Sequence, residues 1–177
     1  PGSEVYGTIK YILNNRPSIK AVNIVVFDIN ADTWKYSHKI VQDFLIKDIE
    51  GSDRIEFTWT AKQFDLTNAS DIQSSQSILK KLHLLVVQNC LNEIPANQFE
   101  QLNLNVNSIF NSLPGSSFFL MSDLTSGARD VIKRLEKNLE DTGTTKYKVS
   151  TLGQPSPLRS RSINPAPAQI IKDNLDE

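Results

Sequence analysis

Short, nearly continuous apolar runs alternate along this chain with segments whose apolar residues recur every three or four positions. The runs at 22–27, 55–60, 83–88 and 117–122 predict strands, and a weaker run at 146–150 predicts a fifth. Uninterrupted apolar runs of this length fit strands covered on both faces, as in a parallel sheet. The helical pattern appears over 4–13, where Val5, Ile9 and Leu13 form an i, i+4 stripe. It returns over 33–46 (Trp34, Ile40, Val41, Phe44, Leu45), over 98–113 (Leu102, Leu104, Val106, Ile109, Phe110) and over 126–139 (Ala128, Val131, Ile132, Leu135, Leu139). On the last of these, Asp130 and Arg134 stand at the spacing of an ion pair. Strand alternating with helix predicts an α/β domain built on a doubly wound, mostly parallel sheet. This domain is expected over residues 1–150. Residues 151–177 form a C-terminal extension holding Pro155, Pro157, Pro165 and Pro167, with a short terminal helix or strand at its end.

Composition narrows the classes. Across 177 residues, 39% are apolar and 22% charged, the balance of a globular chain. No run approaches the roughly 18 apolar residues that a membrane span needs, so no membrane partner is expected. Cys90 is the single cysteine, and with only two histidines a zinc site is improbable, so no metal is expected. An intracellular location follows as the expectation. Nineteen Lys and Arg against 20 Asp and Glu leave a net charge of −1, which exerts no global pull on nucleic acid. Lys146, Lys148, Arg159 and Arg161 make a modest basic cluster, read as a solvated loop.

In open α/β sheets, ligands sit beyond the carboxyl ends of the strands. The residues there are Asp28-Ile29-Asn30, then Asp65-Leu66-Thr67, then Asn89-Cys90-Leu91-Asn92-Glu93, then Asp123. An acidic residue in such a place can accept hydrogen bonds from both hydroxyls of a ribose. The plainer alternative is helix capping, for which Thr33, Thr67 and Ser126 are suited. Pro1-Gly2-Ser3-Glu4-Val5-Tyr6-Gly7 opens the first helix with glycines that permit close backbone approach. A cloning remnant is the competing reading of its first three residues. Trp34 is expected in the core, His38 and His83 at the surface or at a strand start, and Cys90 as a small buried apolar side chain.

The order of these motifs resembles that of the class I S-adenosylmethionine-dependent methyltransferases, over about residues 1–150. Residues 1–7 resemble the end of that family's glycine-rich first motif, and 25–30 its second, with Asp28 in the ribose-holding position. Residues 64–67 resemble the third motif and 84–94 the fourth. Residues 113–123 resemble the turn and strand that follow. The resemblance implies a Rossmann-like fold whose first strand is missing from the chain, and S-adenosylmethionine as cofactor. It implies cofactor contacts from Gly2, Ser3, Glu4, Gly7, Asp28, Ile29, Asn30, Asp65, Leu66 and Asn89, with Glu93 as the candidate polar group beside the methyl acceptor. RNA or protein is the expected substrate. Two alternatives stay open. One is a non-catalytic domain of this kind, acting as a subunit or scaffold in a larger protein assembly. The other is a nicotinamide-dependent oxidoreductase, because an acidic residue after the second strand serves both cofactor classes.

Overall fold

The computed structural model describes residues 2–123 and 126–141. The weak fifth strand, the basic cluster and the Pro-rich extension lie outside the described residues. The order of the main elements is α1 (Ser3–Asn15), β1 (Ala21–Asp28), α2 (Lys35–Ile40), β2 (Glu56–Gln63), α3 (Ala69–Ser74), α4 (Gln76–Leu79), β3 (Leu84–Gln88), α5 (Phe99–Ser112), β4 (Phe118–Ser122) and α6 (Ser126–Asp141). Every expected strand among the described residues is present to within three residues at its ends. The α/β character follows from the same alternation.

The strands form two parallel pairs. β1 pairs with β2 from Ala21↔Glu56 to Asp28↔Gln63, and β3 pairs with β4 from Leu84↔Phe118 to Gln88↔Ser122. A parallel pair cannot be closed by a tight turn, so each connection is a long crossover carrying helix. Alternation along β1 sends its side chains to two apolar clusters. Val22 and Ile24, with their register partners Phe57 and Trp59, pack against Ile9 and Leu13 of α1 and against Val41, Ile46, Ile49 and Ile55. Phe27 packs on the opposite side, with Phe64, Ile72, Leu79, Ile109 and Leu113. Leu85 of β3 and Phe119 of β4 join this second cluster, which therefore spans both strand pairs. Helix α6 buries Ala128, Val131 and Leu135 and packs on α5 and on the turn Leu91–Glu93. Arg134, expected to pair with Asp130, lies over the Phe99 ring at 5.8 Å.

The segment after β1 departs most from its sequence pattern. The helix expected over 33–46 is a short α2 followed by one π turn, Val41–Leu45. The wider turn shifts which residues face inward. Of the expected inward stripe only Val41 is buried, while Ile40, Phe44 and Leu45 are exposed. Trp34, expected in the core, precedes α2 and is 36% exposed. His38, expected at the surface or at a strand start, is buried to 2%, its ring 5.5 Å from that of Trp59 and tilted by 50° to it. Leu104 also faces out, because it stands two residues from Leu102 and cannot share its face on a helix. Helices α3 and α4 were not legible from periodicity, being six and four residues long. Asn68 caps α3 by accepting from the Ser70 N–H at 3.0 Å, and Lys62 donates to the hydroxyl of fully buried Ser75 at 3.0 Å.

Two glycines, one before α1 and one within it, differ sharply in what they tolerate. Gly2 precedes the helix at φ 111°, and a Cβ there would stand 2.8 Å from Val41 Cγ2. Gly7 has nothing within 4 Å of its Cβ position. Gly2→Ala should therefore destabilise the domain by about 1–3 kcal/mol, from left-handed backbone strain and the clash together. Gly7→Ala should stabilise it by ~0.5–1 kcal/mol through helix propensity. Chemical denaturation of the two variants beside the parent checks both signs.

Candidate functional site

The carboxyl ends of β1, β3 and β4 converge. Asp28 closes β1, and its Oδ1 accepts from the Asn30 N–H at 2.6 Å, which holds the turn Asp28-Ile29-Asn30. Its other carboxylate oxygen makes no hydrogen bond among the described residues. Ile29 and Asn30 are exposed beside it. Asn89 follows β3 with φ 53°, a left-handed conformation uncommon outside glycine. This bend turns the chain into the short helical turn Leu91–Glu93. Asp123, directly after β4, secures that turn: one carboxylate oxygen accepts from the Leu91 N–H at 3.0 Å and from the Asn92 N–H at 3.3 Å. Sequence reasoning placed Asp123 at a strand end but gave it no role. The signal was there, in an acidic residue following an apolar run.

Electrostatics show how close these groups stand. Burial pushes the Cys90 thiol up from its ordinary 9.0 to about 11, and the charges of Asp123, Glu93 and Asp28 add to the shift in that order. The charge of Asp28, sixty-odd residues away along the chain, thus reaches the β3 terminus. Cys90 is a protonated, poorly nucleophilic thiol at neutral pH. His38 also feels the charge of Asp28: burial lowers its pKa, and Asp28 opposes that shift. Neither ring nitrogen of His38 has a hydrogen-bond partner, nor has the buried Trp59 Nε1. The start of α1 belongs to the same end of the domain: Gly2 is buried against Val41, and its N–H donates to Glu4 Oε2 at 3.1 Å.

The remaining expected site residues are placed as follows. Asp65 stands beyond β2, where the Phe64 N–H donates to the Asp28 carbonyl at 3.0 Å. Its Oδ1 is engaged by the Thr67 N–H at 2.8 Å and the Thr67 hydroxyl at 2.7 Å. Thr67 therefore serves the Asp65 turn, and capping of α3 falls to Asn68. Thr33 likewise caps nothing, since Trp34 holds the capping position of α2. Leu66 packs its side chain into the second cluster and gives its carbonyl to Asn105 Nδ2 at 2.9 Å. Gly7 lies on the solvent side of α1. Ser3 is the first residue of α1. Glu93 is exposed on the turn after β3. The charges of Asp28 and Glu93 thus meet at Cys90, Gly2 and Glu4 stand at the start of α1 beside Val41, Asp65 is set one strand over, and the Gly7 position and the Leu66 side chain lie apart from the strand ends.

A depression of about 530 Å³ lies elsewhere, on the α1-facing side of the β1–β2 pair, lined by Ile24, Phe57, Trp59, Gln42, Asp43 and Asp53 among others. It contains none of the strand-end residues. Among the described residues no group of His, Cys, Asp and Glu is placed to hold a metal ion, and no helix is long and apolar enough to cross a membrane. Comparison of the chain with protein-family models, curated proteins and solved structures finds no match.

The two shifted groups predict opposite pH limbs. A cysteine with a raised folded pKa binds its proton more tightly folded than unfolded, so its contribution is present below pH 9.0 and is lost as pH rises toward about 11. Cys90→Ala should flatten stability over that range. His38 has a lowered folded pKa, so its contribution is present above 6.5 and is lost as pH falls below that value. His38→Leu should remove this acid limb and leave no buried ring nitrogen unsatisfied. Urea midpoints measured from pH 5 to 11 on the parent and both variants test each limb separately.

Proposed function

We propose that this chain is a doubly wound Rossmann-like domain of the class I methyltransferase kind. In this reading it holds S-adenosylmethionine at the carboxyl ends of β1, β3 and β4 and serves methyl transfer to an RNA or protein acceptor. The observation that carries the reading is the place of Asp28 and of the Asn89–Glu93 segment at the carboxyl ends of parallel strands, where α/β sheets bind nucleosides, with the charges of Asp28 and Glu93 both felt at Cys90.

The residues suit the cofactor. Its electrophilic methyl sits on a positively charged sulfur, which supplies the driving force for transfer. The charges felt at Cys90 are Asp123, Glu93 and Asp28, all negative. Such a field favours a sulfonium and opposes a pyrophosphate, so the same observation weighs against a nicotinamide dinucleotide. The free oxygen of Asp28 is available to a ribose diol, and exposed Ile29 offers an apolar edge to the adenine. Gly2, without a side chain, lets a ligand approach the backbone at the start of α1. The left-handed Asn89 directs the chain after β3 toward the acceptor side, where Glu93 is assigned to receive a proton from an acceptor that must lose one. In-line transfer asks little else of the protein than position and exclusion of water.

A second reading, a non-catalytic domain of this fold within a larger assembly, draws on a different observation. Tyr36, Ile40 and Phe44, on the segment after β1, are 74%, 53% and 66% exposed, large apolar side chains of the sort found at protein contacts.

Calorimetric titration with S-adenosylmethionine, its demethylated product and NAD separates the readings. Binding of the first two is expected. Asp28→Ala should weaken it by more than about tenfold, because charge-assisted hydrogen bonds worth roughly 1.5–3 kcal/mol are removed. Binding of NAD alone would overturn the proposal, and no binding by any of the three favours the scaffold.

A further inference from the structure

The face of the β1–β2 pair turned toward α1 is not fully covered. Period two puts Val22 and Ile24 of β1 on that face, with their register partners Phe57 and Trp59 of β2. α1 and the 41–55 segment pack on it, and the depression of about 530 Å³ remains over Ile24, Phe57 and Trp59. These three side chains are half-buried, and buried Ile46 lies beside them. The rest of the lining is polar. Gln42 and Asp43 come from the π turn and Lys47 from just after it, while Ser52 and Asp53 come from the short turn Ser52–Arg54. A concave site of this size, apolar with a few polar groups, suits a small molecule.

The polar wall is braced by contacts that leave its carboxylates unused. Gly51, at φ 76°, turns the chain into Ser52–Arg54. The Ser52 hydroxyl donates to the Lys47 carbonyl at 3.1 Å, and the Arg54 guanidinium donates to the Leu13 carbonyl of α1. Arg54, the cation next to Asp53 in the chain, is thereby committed to α1. Asp43 and Lys47 stand at the i, i+4 spacing of a helical ion pair, yet they make none. Among the described residues neither Asp43 nor Asp53 has an ion pair or a hydrogen bond, although Asp43 is half-buried. Taking a carboxylate partly out of water without a donor is costly, and a donor brought by a ligand offsets that cost. Trp59 is unsatisfied too: its Nε1 is buried and has no acceptor.

We propose that this depression is a binding site for a small organic amine, a protonated primary ammonium carried on an aromatic or aliphatic stem. The ammonium N–H groups donate to Asp43, and Asp53 adds negative charge beside it. The stem lies on Ile24, Phe57 and Trp59, and a cation held near the two rings gains from their faces. Two carboxylates against Lys47 alone oppose an anionic ligand. The site contains none of the strand-end residues, so the inference stands whether or not the cofactor reading holds.

The test follows the backbone and indole N–H signals of the 177-residue chain by NMR during titration with phenethylammonium. The neutral phenethyl alcohol and the anionic hydrocinnamate, of similar shape, serve as comparisons. The chain has two tryptophans, so Trp34→Phe identifies the Trp59 indole signal. The expected result is saturable shifts over residues 42–47 and 52–59, including the Trp59 indole, with half-saturation at about 1 mM or below. The alcohol and the anion should bind at least about tenfold more weakly. Asp43→Asn should weaken the amine by at least about fivefold and leave the alcohol unchanged. No saturable shift, alcohol binding as tight as the amine, or shifts centred on residues 89–93 would each overturn the proposal. So would an unchanged amine affinity in both Asp43→Asn and Asp53→Asn. Tighter binding of Nα-acetyl-lysine amide than of phenethylammonium would overturn the assignment to a free amine. The comparison of probes is made on the parent chain and does not depend on the folding of any variant.

Discussion

Parallel strands cannot turn back on themselves, and most of this structure follows from that one restriction. Each strand must be re-entered from the same end, so its chain crosses the sheet face and uses helix to do so. In this chain the 41–55 segment joins α1 over one face of β1, and α3, α4 and α5 lie over the other. The same restriction gathers the carboxyl ends together. Asp28, Asn89 to Glu93, and Asp123 are remote along the chain and become neighbours because every strand that carries them points the same way.

That gathering has an electrostatic consequence. Three carboxylates facing a half-buried thiol make a negative pole at the strand ends, and one of them is spent structurally. Asp123 fixes the turn after β3 by receiving two backbone N–H groups, so the position of Glu93 depends on a residue from the neighbouring strand. Asp28 is divided between its own turn and the open end of the sheet. A ligand that is cationic and carries hydroxyls suits this arrangement better than one that is polyanionic.

The strands differ in polar content. β2 is polar at alternate positions, with Glu56, Thr58, Thr60 and Lys62, whereas β1 and β3 are mostly apolar and carry no lysine. The exposed residues Tyr36 and Ile40 lie on the short helix after β1, and exposed Phe44 lies in the π turn that follows it.

Much of the element order was legible from the chain. Strand runs and the longer helices were written in local periodicity, because period two and period 3.6 are properties of neighbouring residues. Short helices α3 and α4 were not, since one or two turns hold too few apolar positions to show a period. The strand-end residues were legible as a set for the same local reason: each follows an apolar run. Which of them meet was not. Leu66 turned into the core and Gly7 toward solvent, while Asp123 reached back 32 residues to Leu91. The segment after β1 kept Val41 inside but buried His38 and, through the π turn at Val41–Leu45, exposed Phe44. By itself, then, the sequence determined the kind and order of the elements and the acidic character of the strand ends. Only the tertiary structure decided the pairing of β1 with β2 and β3 with β4, and the closeness of Asp28 to Cys90. Those depend on how long crossovers pack, which no local pattern of residues records.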